Sequence, residues 1–432
     1  MRLARLIIVV LSFVFVVPSF AAEKLSTDEL IQNLKAQDPK VREEAAKEVG
    51  DRGEKLGLEA LDQATLDKDP KVQMAVVEAL GKIHHPQQVS YLSRAIRNTQ
   101  GKAQEKAMNL LAEAYIPSHE HGSLTKVWTT ISSLFDPPEV KVVEPWMRVD
   151  PEAIDAITFV MDQKESENRI EAAATLGLLR AKSAVPRLAF YLKSPNIKMT
   201  RTTVRSLGYI GDPAAGPYLV PLLKHSDEDV VVDTARVLGQ LHYHEALPEL
   251  GKLFEYSDDD DYRRAALQAI SRIADPAYEQ LMVKYLDSED KALRISAIEA
   301  IGRMKLRNHV QRLQLEFQRE KSRLVKMAIS FSLFHLGESA YIDTLVLNLK
   351  ERDYERQAQS YLLESGMRAV PGVAAYLKGA DNDFRVLLID LLGNMQQPSA
   401  IPYIEPYLKA NEIKVAQAAT HAVGKLRRIQ NS

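Results

Sequence analysis

Glycine recurs along this chain at one fixed interval. Gly50 and Gly81 lie 31 residues apart, Gly177, Gly208 and Gly239 repeat that spacing, and Gly393 and Gly424 repeat it again. A second register agrees: Ala-x-Pro begins at Ala184, Ala215 and Ala246, then at Ala369 and Ala400, with the same 31-residue step inside each group. Two registers sharing one period mark an internal repeat. A unit this short cannot bury an apolar face alone and must stack on its neighbours, which is the logic of a solenoid.

Each unit reads as two helices. Ala-x-Pro opens the first, with Pro186, Pro217, Pro248, Pro371 and Pro402 near its first turn, where a missing N–H costs nothing. A polar turn follows, such as Asp38-Pro39, Asp69-Pro70 or Ser226-Asp227, whose acidic residue suits a helix cap. The second helix runs in the style of Val41 to Val49, with small Ala residues for close approach, and the glycine is expected to end it in the left-handed conformation. Aligned on this helix, twelve units begin at Val41, Val72, Ala103, Asn168, Met199, Val230, Tyr262, Leu293, Val325, Tyr354, Phe384 and Val415. Low aromatic content, 7%, with prominent Ala and Leu favours close-packed helices over a β-sandwich.

The recurring Asp-x-x-Val-Arg-x-x-Ala-Ala-x-x-Leu-Gly pattern resembles the HEAT-repeat family, particularly its short form in phycobilisome lyases. The resemblance covers nearly the whole chain after the first segment. It implies an all-α fold, a right-handed α-solenoid (superhelix) of about 12 or 13 HEAT-like helix pairs. In the family the Asp and Arg form a ladder along the stack, which implies a structural role for Arg42, Arg263, Arg294 and Arg385. The pattern specifies fold, whereas function must be argued from a site.

The first residues are not part of that fold. Arg2 and Arg5 precede an apolar run from Leu6 to Val17, and Ser19-Phe20-Ala21 ends in small residues, the layout of a secretory signal peptide. An uncleaved anchor is the other reading, and the run is short for a bilayer. The expected organisation is a signal peptide at 1–21, repeats over 22–116, a degenerate repeat or insert with a long loop at 117–150, and repeats over 151–432. This places the protein in the periplasm or outside the cell, without stable membrane insertion after cleavage. With no Cys there is no disulfide framework, lipoprotein anchor or thiolate site. The formal charge of −2 becomes −4 without the two signal arginines, which argues against nucleic acid as a partner.

Where the period breaks, one helix is expected from Ser123 to Phe135, followed by Asp136-Pro137-Pro138, a Val-rich stretch from Val140 to Val143, and Trp146. Long loops of this kind are often functional. A decayed repeat is the competing reading. Trp146 is the loop's candidate contact.

Counting from the first apolar residue of each second helix as zero, the core takes positions 0, 4 and 8, so positions 2 and 6 point away from it along the concave wall. That line is basic in the middle, with Arg201, Arg205, Arg236 and Arg264, then apolar, with Ile295, Met327 and Phe331. Burial of the line by tight winding is the alternative to a binding surface. No motif calls for a cofactor or metal. His119-Glu120-His121 lacks the three or four convergent ligands of a defined site, and Asp258 to Asp261 lacks the spacing and Gly of a calcium loop. His119-Glu120 and His244-Glu245 are the only His-Glu pairs, unlike the repeated pairs of the deoxyhypusine hydroxylases. The reading that follows is an exported, non-catalytic scaffold holding an acidic protein or peptide on its concave face. The alternative is a bilin-lyase-like enzyme or chaperone, which export disfavours.

Overall fold

Every one of the twelve expected second helices forms. In chain order they are α1 (Pro39–Arg52), α2 (Pro70–Lys82), α3 (Gly101–Tyr115), α4 (Arg169–Leu178), α5 (Ile197–Ile210), α6 (Glu228–Gln240), α7 (Asp260–Ile273), α8 (Lys291–Arg303), α9 (Arg323–His335), α10 (Glu355–Ser365), α11 (Asn382–Asn394) and α12 (Ile413–Gln430). The computed structural model describes residues 25–116, 142–144 and 147–431. Among the described residues there is no strand.

The acidic turn residues cap as their chemistry requires. Asp38, Asp69, Asp227, Asp259, Asp290 and Asp381 each accept backbone N–H groups of the first turn, at 2.8 to 3.1 Å. Each bond satisfies a donor that the helix itself leaves open. Glu412, one methylene longer, precedes α12 without making this bond. The alanines that open the first helices (Ala184, Ala215, Ala246, Ala369 and Ala400) are buried.

The repeat glycines do not end their helices as expected. They lie inside them, and above Gly50, Gly177, Gly239, Gly302 and Gly393 the next repeat's helix crosses closely. A Cβ on Gly50 would stand 2.6 Å from Cα of Ala79, one on Gly177 2.7 Å from Cα of Ser206, and one on Gly302 2.5 Å from Cα of Ser332. Close backbone approach is therefore what fixes glycine there. The left-handed turn falls three residues later, at Gly53, Arg180, Gly211, His242, Lys305 and Gln396, with φ between 49° and 69°.

The chain forms two compact units, residues 1–91 and 92–432. In the first, α1 packs on α2. In the second, α4 to α9 stack each on the next, as do α11 and α12. The first helices (Val185–Tyr191, Leu247–Tyr256 and Val310–Arg319, for example) pair with the second helices of their own repeats. Of the expected insert, the helix at 123–135 and Trp146 lie outside the described residues. Val143 is buried and irregular, its N–H donating to the carbonyl of Leu178 at the end of α4 (2.9 Å).

Candidate binding surface

The basic residue that follows the first apolar position acts as a rung. Arg42 pairs with Asp67 through two nitrogens, at 2.6 and 2.9 Å, and donates to the carbonyls of Ala36 and Gln37. Arg385 donates to the Leu377 carbonyl and lies over Tyr407 of the next repeat. Arg263 stacks on Phe254 and reaches the Tyr285 hydroxyl, and Arg294 pairs with Glu320 at 2.7 Å. Most of these side chains draw on their own first helix as well as on the following repeat, a use that suits the planar guanidinium fork. Their role is structural.

The arginines at positions 2 and 6 are arranged differently. Arg201 and Arg205 on α5 and Arg236 on α6 converge on one carboxylate, Asp233, whose side chain is 4% exposed. The separations are 3.2, 2.9 and 3.2 Å. Arg201 also pairs with Asp229. Burial pushes the Arg236 guanidinium below its ordinary value; Asp233 opposes this, while Arg205, Arg272 and Arg201 add to it. The sequence pattern shows these arginines as a basic stretch alone; the structure places Asp233 among Arg201, Arg205 and Arg236. Arg264 belongs to a separate set, paired with Asp290 at 2.7 Å and Asp261 at 3.0 Å.

Two of the expected apolar contacts are not on the surface. Met327 and Phe331 are fully buried, and Ile295 is half-buried. The reason is close stacking: Phe331 lies 4.7 Å from the Tyr361 ring on α10 and beneath the Arg303 guanidinium of α8. Position 6 therefore faces its neighbours' side chains rather than water in these repeats. Arg303 is itself nearly enclosed. It donates to both oxygens of Glu364 at 2.6 and 2.9 Å, to Glu299 at 2.9 Å and to the Ser271 hydroxyl at 2.9 Å. Burial alone would lower its affinity for a proton, but Glu299 and Glu364 outweigh that and raise it. The Tyr361 hydroxyl donates to the second Glu299 oxygen at 2.5 Å. His335, buried beside this group, is held down at about 4 and is neutral.

Sequence reasoning missed this row at position 10, which comprises Arg272, Arg303, His335, Glu364 and Lys425. The signal was available: position 10 lies one helical turn beyond position 6 and shares its face. Arg272 joins the two groups, since its charge acts on both Arg236 and Glu364. Its Nε is buried and makes no hydrogen bond.

Among the described residues, one set of carboxylates approaches metal-binding proximity: Glu228, Asp259 and Asp261, with oxygens within 4.8 Å of one another. Asp259 is already engaged as a cap and Asp261 with Arg264. The Asp258 to Asp261 run thus serves a helix start and an ion pair. His119 to His121 lie outside the described residues. No described helix is long and apolar enough to cross a membrane.

A family model described as HEAT repeats matches residues 27–112, 185–271 and 247–333, more than half of the chain. No curated protein matches. Among solved structures, yeast importin-beta is 14% identical with a TM-score of 0.48, over 93% of this chain and 61% of its own. An engineered protein is 18% identical with a TM-score of 0.29, over 94% and 99% of the two chains. Human deoxyhypusine hydroxylase in complex with glycerol is 17% identical with a TM-score of 0.30, over 58% and 99%.

Proposed function

The chain belongs to the HEAT-repeat family, whose stacked helix pairs typically serve as protein-binding scaffolds, and from that premise we propose that it is an exported, non-catalytic scaffold for an acidic protein or peptide. One observation carries the reading. Arg201, Arg205 and Arg236, from two consecutive repeats, converge on the nearly buried carboxylate of Asp233, and Arg272 of the next repeat, whose charge acts on Arg236 and Glu364, keeps a buried Nε without a hydrogen bond. A row that gathers this many guanidinium groups suits a ligand that brings carboxylates, which arginine meets with paired, charge-assisted hydrogen bonds. Export rests on the signal-peptide layout of residues 1–21.

The test uses an oligoglutamate peptide as probe. The protein binds it with an affinity that falls as salt rises. Arg201→Gln with Arg236→Gln weakens binding by at least about tenfold while circular dichroism stays helical. Unchanged affinity in that folded variant would make the cluster internal scaffolding and end the proposal. For export, mature protein begins at Ala22 or Glu23, and Met1 retained in a cytoplasmic pool contradicts it.

A further inference from the structure

In a stack of repeats each unit touches its neighbours, so contacts between distant repeats need a separate cause. Unit 92–432 has one. Val143 is buried, and its N–H donates to the Leu178 carbonyl at the end of α4. The very next residue, Glu144, pairs through its carboxylate with Lys425 of α12 at 2.6 Å. Lys425 is nearly enclosed, at 11% exposed, and also donates to Asn394 of α11 at 2.9 Å. Two consecutive residues therefore hold the fourth and the twelfth second helices at once.

The positions contacted are not arbitrary. Leu178 and Lys425 both stand at position 10 of their helices, the row that carries Arg272, Arg303, His335 and Glu364. That row belongs to the proposed binding face. Beneath Lys425, Asp390 of α11 is pushed up by burial and drawn back down by His421 and Lys425, so charge of both signs is already concentrated where Glu144 arrives.

We propose that Val143-Glu144 is an internal clasp, a ligand supplied by the chain itself, which seats an apolar–acidic dipeptide between the end of α4 and Lys425 of α12. The acidic residue engages Lys425 in the way a partner's carboxylate would, and the buried valine anchors the segment to α4 through its N–H. A tethered segment competes at a high effective concentration, so an external apolar–acidic peptide binds this seat weakly until the clasp is loosened. The claim concerns the α4–α12 seat, so its failure leaves the Arg201–Arg236 reading intact, and the reverse also holds.

Hydrogen exchange at the Val143 amide reads the clasp directly. The amide is protected in the wild-type protein. Glu144→Gln and Lys425→Met each lower that protection about tenfold, and the double variant loses no more than either single one, because both remove the same pair. A dye-labelled peptide with the sequence of residues 142–150 then binds Glu144→Gln at least about tenfold more tightly than the wild type, and it does not bind Lys425→Met. Several results would overturn the clasp: an unprotected Val143 amide in the wild type, unchanged protection in either single variant, additive losses in the double, or equal peptide affinity for wild type and Glu144→Gln. Circular dichroism separates a loosened clasp from an unfolded chain.

Discussion

Gly302 and Gly424 occupy the same repeat position yet face different demands. Above Gly302 runs the backbone of α9, while nothing lies within 4 Å of a Cβ built on Gly424. Gly302→Ala must push two helices apart and costs about 1–3 kcal/mol. Gly424→Ala meets no neighbour and gains up to about 1 kcal/mol of helix propensity. Urea denaturation of the two variants checks this, and equal effects would contradict the packing role. The turn three residues on gives a converse case. Lys305 holds φ at 58°, so Lys305→Gly relieves a left-handed backbone and stabilises by several tenths of a kcal/mol to about 1 kcal/mol. A loss of stability there would show that the lysine side chain outweighs the backbone. The glycine interval was plain in the sequence, but its purpose was not. Glycine serves both a helix stop and a close crossing, and only the position of the neighbouring backbone distinguishes them.

At the scale of helices, the sequence specified existence and type. Twelve second helices follow from Ala-rich periodic runs between capping aspartates and small residues, because those signals are local. The exposure of their faces was not local. Positions 2 and 6 were read as solvent-facing from one helix's geometry, while Phe331 owes its burial to Tyr361 and Arg303 on the helices either side. Glu171 on α4 shows the same dependence on neighbours. Burial first, then Glu105 on α3, raises its carboxyl to about 7, and one of its oxygens is buried without a hydrogen bond. A folded-state value above the unfolded 4.5 means the folded chain binds more protons between the two. Its contribution is fully present below about 4.5 and is lost as pH rises through about 7. Glu171→Gln therefore stabilises the protein at pH 8 relative to wild type, and the gain vanishes near pH 4. Thermal melts across that range check it, and a gain independent of pH would contradict it.

At the scale of unit 92–432, the repeat sets charged residues in a row at positions 2, 6 and 10 of successive second helices, and the binding account depends on how charge is spread along it. Arg201, Arg205 and Arg236 were legible as a basic cluster, whereas Asp233 was not: it sits at position 3, outside the line the helix pattern singles out. Its presence changes what a charge reversal does. Arg205→Glu with Arg236→Glu would set two carboxylates against a buried third, so that variant is destabilised by more than the roughly 1 kcal/mol typical of exposed sites. Neutralising the acid is the cleaner intervention. Asp233→Asn leaves the three arginines in place and raises the local positive charge by one. The decisive measurement is the affinity of this variant for oligoglutamate at low and high salt. The account predicts roughly several-fold tighter binding than wild type at low salt, with the gain shrinking as salt rises. If the folded variant binds no more tightly, or more weakly, at low salt, the arginines serve only to hold Asp233, and the row is not a surface for acidic partners.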